Sequence, residues 1–263
     1  MLAPGLAIPR PGDRLVKMKK FIALLLALTM VLCLAACGKK AETDIFAKGE
    51  GVMTAAEYQA AELDTAVTVE TFVQAKQGWW EKDGVGVASL YTQDKDGGYF
   101  LYNMPCSQED YNKLVPGTKI KVTGYKAEWA GEVEIIDSTF EILPGSYVAE
   151  AKDVTALLGT DDLIKEQNTF IAVKGLTVAP ANDDGAPFLF NWYGSGAEGD
   201  DLYFYLTDGT NTYSFTVESY LCGKDTEVYK KVMSLGVGDT VDLEGFLYWY
   251  EGSQPHVTNI TIK

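Results

Sequence analysis

The chain has a single histidine, His256, among 263 residues, and only four cysteines. It contains no CxxC pair, no HExxH and no phosphate-binding GxxxxGK[ST] loop, so the patterns of the common zinc, redox and nucleotide sites are missing. There is no GxSxG nucleophile elbow; Gly194-Ser195-Gly196 is loop composition. His256 falls in the expected last strand and reads as structural. Glu132 and Glu134 alternate along one strand and read as an exposed acidic face, not an acid/base pair. Asp94-Lys95-Asp96-Gly97 and Asn182-Asp183-Asp184-Gly185 lack the spaced ligands and closing glutamate of a calcium loop, and read as turns. The expectation is a non-enzymatic protein with no cofactor and no metal.

Positive charge is also scarce. Lys and Arg number 22 against 37 Asp and Glu, a net −15. Both halves share the excess: residues 54–143 hold 7 lysines and 15 acids, residues 151–263 hold 7 and 17. Such a surface repels phosphate backbones, whose attraction to cations supplies most non-specific nucleic-acid binding. The charge therefore counts against a nucleic-acid partner, and it suits solubility outside the cell. A membrane-spanning run of about 20 apolar residues is missing too. The longest, Phe21–Leu34, is short, follows Lys19-Lys20 and reads as a secretion signal.

What the chain does have is a repeat. Gly117, Gly124, Trp129 and Gly131 recur as Gly238, Gly245, Tyr250 and Gly252 at one constant offset, within Leu114–Leu143 and Leu235–Lys263. Periods of this kind mark duplicated modules. The first copy reads as strands over Val67–Ala75, Val85–Gln93 and Gly98–Asn103, a short helix over Ser107–Leu114, and two strands in the repeated stretch. In that stretch Ile120 and Val122 alternate with Lys119, Lys121 and Thr123, which buries one face. Thr54-Ala55-Ala56-Glu57 has the form of a capping box. The second copy reads as a helical stretch near Val154–Leu158, then strands over Phe170–Val178, Leu202–Thr207 and Thr212–Glu218. A helix over Thr226–Leu235 and strands over Thr240–Tyr250 and Pro255–Ile262 complete it. A long loop, Ala179–Asp201, departs from the first copy.

The order β-β-β-α-β-β is that of the OB-fold, a five-stranded Greek-key barrel. The fold expected is mainly β: two tandem OB-fold-like barrels, each with a short helix between strands three and four. The apolar run ends in Leu34-Ala35-Ala36-Cys37, followed by Gly38, which resembles the lipobox of bacterial lipoproteins. That resemblance implies lipid on Cys37, with cleavage before it. The VPGTKIKVTGYKAEWAGEVEI stretch resembles the OB-fold modules of extracytoplasmic lipoproteins of Gram-positive type, which brings a fold and a location but no catalytic residues. The division expected is an over-extended start plus signal over 1–36, with Met18 the natural start, and a tether over 37–53. Barrels over 54–143 and 153–263 follow, joined by a linker over 144–152. Cys33 would leave with the signal. Cys106 and Cys222 read either as a bridge between the barrels or as two thiols at equivalent positions.

OB-folds bind on the face of strands two and three and at the loops joining strands one–two and four–five. Those loops carry Trp79, Trp80 and Trp129 in the first copy, and Trp192, Tyr193 and Trp249 in the second. These are the candidate ligand-binding residues. They read either as a stacking platform or as rings that plug the barrels and their interface. The favoured function is a lipid-anchored binding protein on the extracytoplasmic face of the cell membrane, with a glycan or other neutral ring-bearing ligand. The alternative is a structural or protein-interaction lipoprotein of the envelope, and an OB-fold nucleic-acid binder stands behind both.

Overall fold

The computed structural model describes residues 44–263. Cys37, the signal and residues 37–43 of the tether lie outside the described residues. Ile45–Lys263 form one compact unit built from two barrels.

The first barrel comprises β1 (Ala66–Lys76), β2 (Trp80–Lys82), β3 (Val85–Gln93), β4 (Gly98–Pro105), β5 (Thr118–Trp129) and β6 (Glu132–Ser146). Its strands neighbour in the order β1-β5-β6-β4-β3-β2, and β1 also pairs with β3, which closes it. The β4–β6 pairing is parallel, with Phe100 opposite Glu134; the other pairs are antiparallel. Alternation does the work foreseen for it: Val69, Leu90, Leu101, Ile120, Val122 and Ile135 are all fully buried and pack together. Helix α1 (Ala55–Ala60) has both halves of its capping box, Glu57 N–H donating to the Thr54 hydroxyl and Thr54 N–H to the Glu57 carboxylate. Helix α2 (Gln108–Lys113) is capped by Ser107.

The second barrel comprises β7 (Lys152–Asp153), β8 (Phe170–Ala179), β9 (Phe188–Phe190), β10 (Leu202–Thr207), β11 (Thr212–Val217), β12 (Thr240–Phe246) and β13 (His256–Ile262), with helix α3 (Glu227–Met233) between β11 and β12. The order β8-β12-β13-β11-β10, closed by β10–β8, and the parallel contact of β11 with β13 match the first barrel strand for strand. Both are OB-folds. The expected helix near Val154–Leu158 is only a 3-10 turn, Thr155–Leu157, cut off by Gly159 at φ 73°. The strand expected to reach Tyr250 stops at Phe246. Beyond it Tyr248 N–H donates to the Phe246 carbonyl, and the chain turns.

The repeat has a structural meaning at its glycines. Gly124 and Gly245 each sit at a bulge in the ladder with the last strand. A Cβ on Gly245 would lie 2.2 Å from the His256 carbonyl oxygen, so no larger residue fits that approach. The pairs Ala130-Gly131 and Glu251-Gly252 both take positive φ, the conformation of a tight hairpin turn.

The barrels share a third core. Tyr91 and Phe100 from the first and Phe246 from the second are buried together, with Phe170, Leu221 and Tyr248 against them. The Tyr91 and Phe246 rings stack at 4.5 Å. Around this core Phe170 N–H donates to Gln93 Oε1 at 2.7 Å, and Asn168 Nδ2 donates to the Val133 carbonyl at 2.9 Å. Glu132 and Glu134, expected on an exposed face, are therefore 0% and 7% exposed: the second barrel sits over that stretch of β6. Cys106 and Cys222 are buried free thiols. Among the described residues no helix is long and apolar enough to cross a membrane.

Candidate functional site

A cleft of 570 Å³ opens where the barrels meet, within the range of about 300–1,000 Å³ usual for small-ligand sites. The first barrel supplies its strand-two and strand-three face, through Ser89 on β3 and Phe100, Tyr102 and Asn103 on β4, and its one–two loop, through Gln77–Trp80. The second supplies Glu218 and Tyr220 just after β11, Tyr248 after β12, and His256 at the start of β13. The face that OB-folds use for binding thus becomes one wall, and the second barrel's loops become the other.

Rings dominate these walls. Trp80, Tyr102 and Tyr220 are 48%, 45% and 73% exposed. Trp79 is half-buried, and its indole N–H donates to the Cys106 carbonyl at 3.1 Å. That bond and its packing on the first core hold it in place, while Trp80 stays free to meet a ligand. Tyr248 stacks on His256 at 4.3 Å.

The polar groups are few and held by one another. Gln77 Nε2 donates to both Glu218 oxygens, at 2.8 and 2.9 Å. Gly78 N–H donates to the Tyr220 carbonyl at 3.0 Å, tying the one–two loop of the first barrel to the second. His256 Nδ1 is hydrogen-bonded to the Tyr91 hydroxyl at 2.8 Å and lies 3.7 Å from Glu218 Oε2. Burial pulls the His256 pKa down to about 3, so the ring is neutral across the physiological range. Burial, with a smaller push from Asp201, raises Glu218 to about 7, against the Gln77 hydrogen bonds, which lower it.

The remaining candidate rings gather elsewhere. Trp129, 56% exposed, lies 5.1 Å from Tyr250. Trp192 contacts Tyr250 at 5.3 Å and Tyr203 at 5.2 Å. Trp192, Tyr203 and Tyr250, with Tyr205 and Gln254, border a second, smaller hollow of 310 Å³ on the second barrel's own β10–β11 face, and Trp129 does not line it. Trp249 is half-buried against the second core, and its N–H donates to Glu132 Oε2 at 2.9 Å. Its ring fills the space over Gly131, where a Cβ would come within 2.6 Å of it. Tyr193, 83% exposed, touches Trp192. So Trp79 and Trp80 share one site, Trp192 borders another with Trp129 beside it against Tyr250, and Trp249 locks the two barrels together. Sequence reasoning missed Gln77, Glu218 and Tyr220. Each lies beside a strand end, and only the docking of one barrel on the other brings them together. Among the described residues no group of three or more His, Cys, Asp and Glu side chains is placed to hold a metal.

No protein-family model and no curated protein matches the chain. Solved structures do, at low identity. The crystal structure of the p204 HINb domain is 12% identical over 77% of this chain and 100% of that one, with a TM-score of 0.32. A murine DNA-binding protein bound to double-stranded DNA is 13% identical over 74% and 97%, at 0.34. A replication protein A heterotrimer bound to single-stranded DNA is 12% identical, covering 75% of this chain and 49% of that one, at 0.29.

Proposed function

We propose that this chain is a non-enzymatic binding protein, carried on the extracytoplasmic face of a bacterial membrane by lipid on Cys37, and that the cleft between its barrels takes a ring-bearing ligand of the glycan class. The observation that carries the binding reading is the convergence of three accessible rings, Trp80, Tyr102 and Tyr220, on one cavity with Trp79 and Tyr248 beside them. Rings offer flat apolar surface to the C–H face of a sugar, and Gln77, Ser89 and Asn103 offer hydrogen bonds to its hydroxyls. The membrane part rests on the Lys19-Lys20, apolar run and Leu34–Cys37 order alone.

Two of the solved structures named above are DNA complexes. The composition of this chain favours a different ligand. Residues 44–263 hold 15 lysines, 35 acids and no arginine, which leaves counterion release few cations to work with.

The test is a glycan array probed with residues 44–263, followed by titration of Trp80→Ala and Tyr220→Ala. Each side chain is exposed, so folding should survive its loss. Each lost stacking contact should weaken binding by about 1–3 kcal/mol, by analogy with base stacking. A blank array would replace the glycan reading with that of an envelope protein-interaction module. For the anchor, full-length protein and Cys37→Ser are partitioned into detergent; equal partitioning would refute lipidation.

A further inference from the structure

Glu218 carries the one carboxyl group among the residues lining the cleft; burial leaves it about half-ionised at neutral pH, and a cation beside it would draw it to the charged form. Its side chain is 13% exposed, so it has lost most of its water. What it has gained is uncharged: the Gln77 amide, and an imidazole that burial keeps unprotonated. Among the described residues no lysine or arginine nitrogen lies within 4.0 Å of it. A buried carboxylate is usually paired with a cation, and none of the described residues supplies one. The pairing is missing at the place where a ligand would enter, beside Trp80, Tyr102 and Tyr220, whose rings attract cations through their faces. The acidic surface adds a long-range pull of the same sign.

We propose that the ligand of the cleft carries a positive charge, and that Glu218 and the surrounding rings recognise an ammonium group on a ring, as in a sugar with a free amine. This rests on the reading of the cleft as a glycan site and narrows it. Glu218 acts as the anionic partner, Gln77 holds its carboxylate in one orientation, and the rings stack on the sugar and face its ammonium.

The test compares two oligosaccharides of equal length that differ only in the amine: oligomers of glucosamine and of N-acetylglucosamine. Binding to residues 44–263 is followed by calorimetry at neutral pH. The free amine should bind at least tenfold more tightly, and Glu218→Gln should erase that preference, so that the two oligomers bind alike. Glu218→Asp, which keeps the charge, should keep part of the preference. Equal affinity of the wild type for both oligomers would overturn the charge proposal and leave the glycan reading standing. A preference that survives Glu218→Gln would also overturn it, since the attraction would then come from the acidic surface as a whole. If neither oligomer binds, the charge proposal falls, and the glycan reading stands or falls by the array.

Discussion

Replacing Glu132 by glutamine should make the protein less sensitive to alkali. Glu132 is fully buried between the barrels. Its Oε2 accepts from Trp249 N–H at 2.9 Å and Gln167 Nε2 at 3.1 Å, while Oε1 has no partner among the described residues. Burial raises its pKa from 4.5 to about 8. A carboxyl whose folded pKa lies above its unfolded value holds its proton more tightly when folded. The stability it contributes is full below about pH 4.5 and is lost as pH rises through about 8. At about 1.4 kcal/mol for each pKa unit, the wild type should lose about 4 kcal/mol from this group between pH 5 and pH 9. Glutamine reproduces the protonated form: its carbonyl can accept from Trp249 and Gln167, and it never ionises. Glu134 and Glu218, both raised to about 7, slope the same way, so the informative quantity is the difference between the two proteins. Urea denaturation at pH 5, 7 and 9 measures it. The variant should match the wild type within about 1 kcal/mol at pH 5 and exceed it by several at pH 9. A variant less stable than the wild type at every pH, or a constant difference between them, would refute the claim that Glu132 is carried as the neutral acid.

Three further outcomes follow from the same structure. Phe246→Ala removes the ring stacked on Tyr91 in the shared core and should cost about 3–5 kcal/mol; limited proteolysis of the variant should expose sites between the barrels that the wild type protects. Gly245→Ala places a methyl 2.2 Å from the His256 carbonyl oxygen and should lower the melting temperature sharply, whereas Gly209→Ala, whose Cβ meets nothing within 4 Å at φ 93°, should cost only the local backbone strain of about 1–2 kcal/mol. Single-stranded DNA should show no micromolar binding at physiological salt; a measured affinity in that range, falling steeply with salt, would restore the nucleic-acid reading.

The fold was legible because its signals are local. The glycines at 117, 124 and 131 and their counterparts mark bulges and turns that only the backbone near them requires. Ile120 and Val122 point inward because a strand alternates. The site was half legible for the same reason. Trp79 and Trp80 adjoin in a loop whose place on an OB-fold is set by strand order, and the structure puts both at the cleft. Trp129 looked equivalent to them, yet it turns to Tyr250. What parts these rings is the angle at which one barrel docks on the other, and no periodicity encodes that. Glu132 and Glu134 show the same limit from the other side. Two acids on alternate residues of a strand describe a wet face until a second module covers it.

The docking of the barrels has one more consequence. The first barrel's binding face is walled by loops of the second, whereas the second barrel's equivalent face, around Tyr203, Tyr205 and Ser214, is bordered by its own Trp192 and Tyr250. Such a contact is heterologous, a front meeting a back: two copies of one fold meet through different surfaces. Trp192, from the stretch that the first copy lacks, lies against Tyr203 on that face. The insertion thus lets the second copy furnish from its own chain part of the wall that the first copy takes from its neighbour.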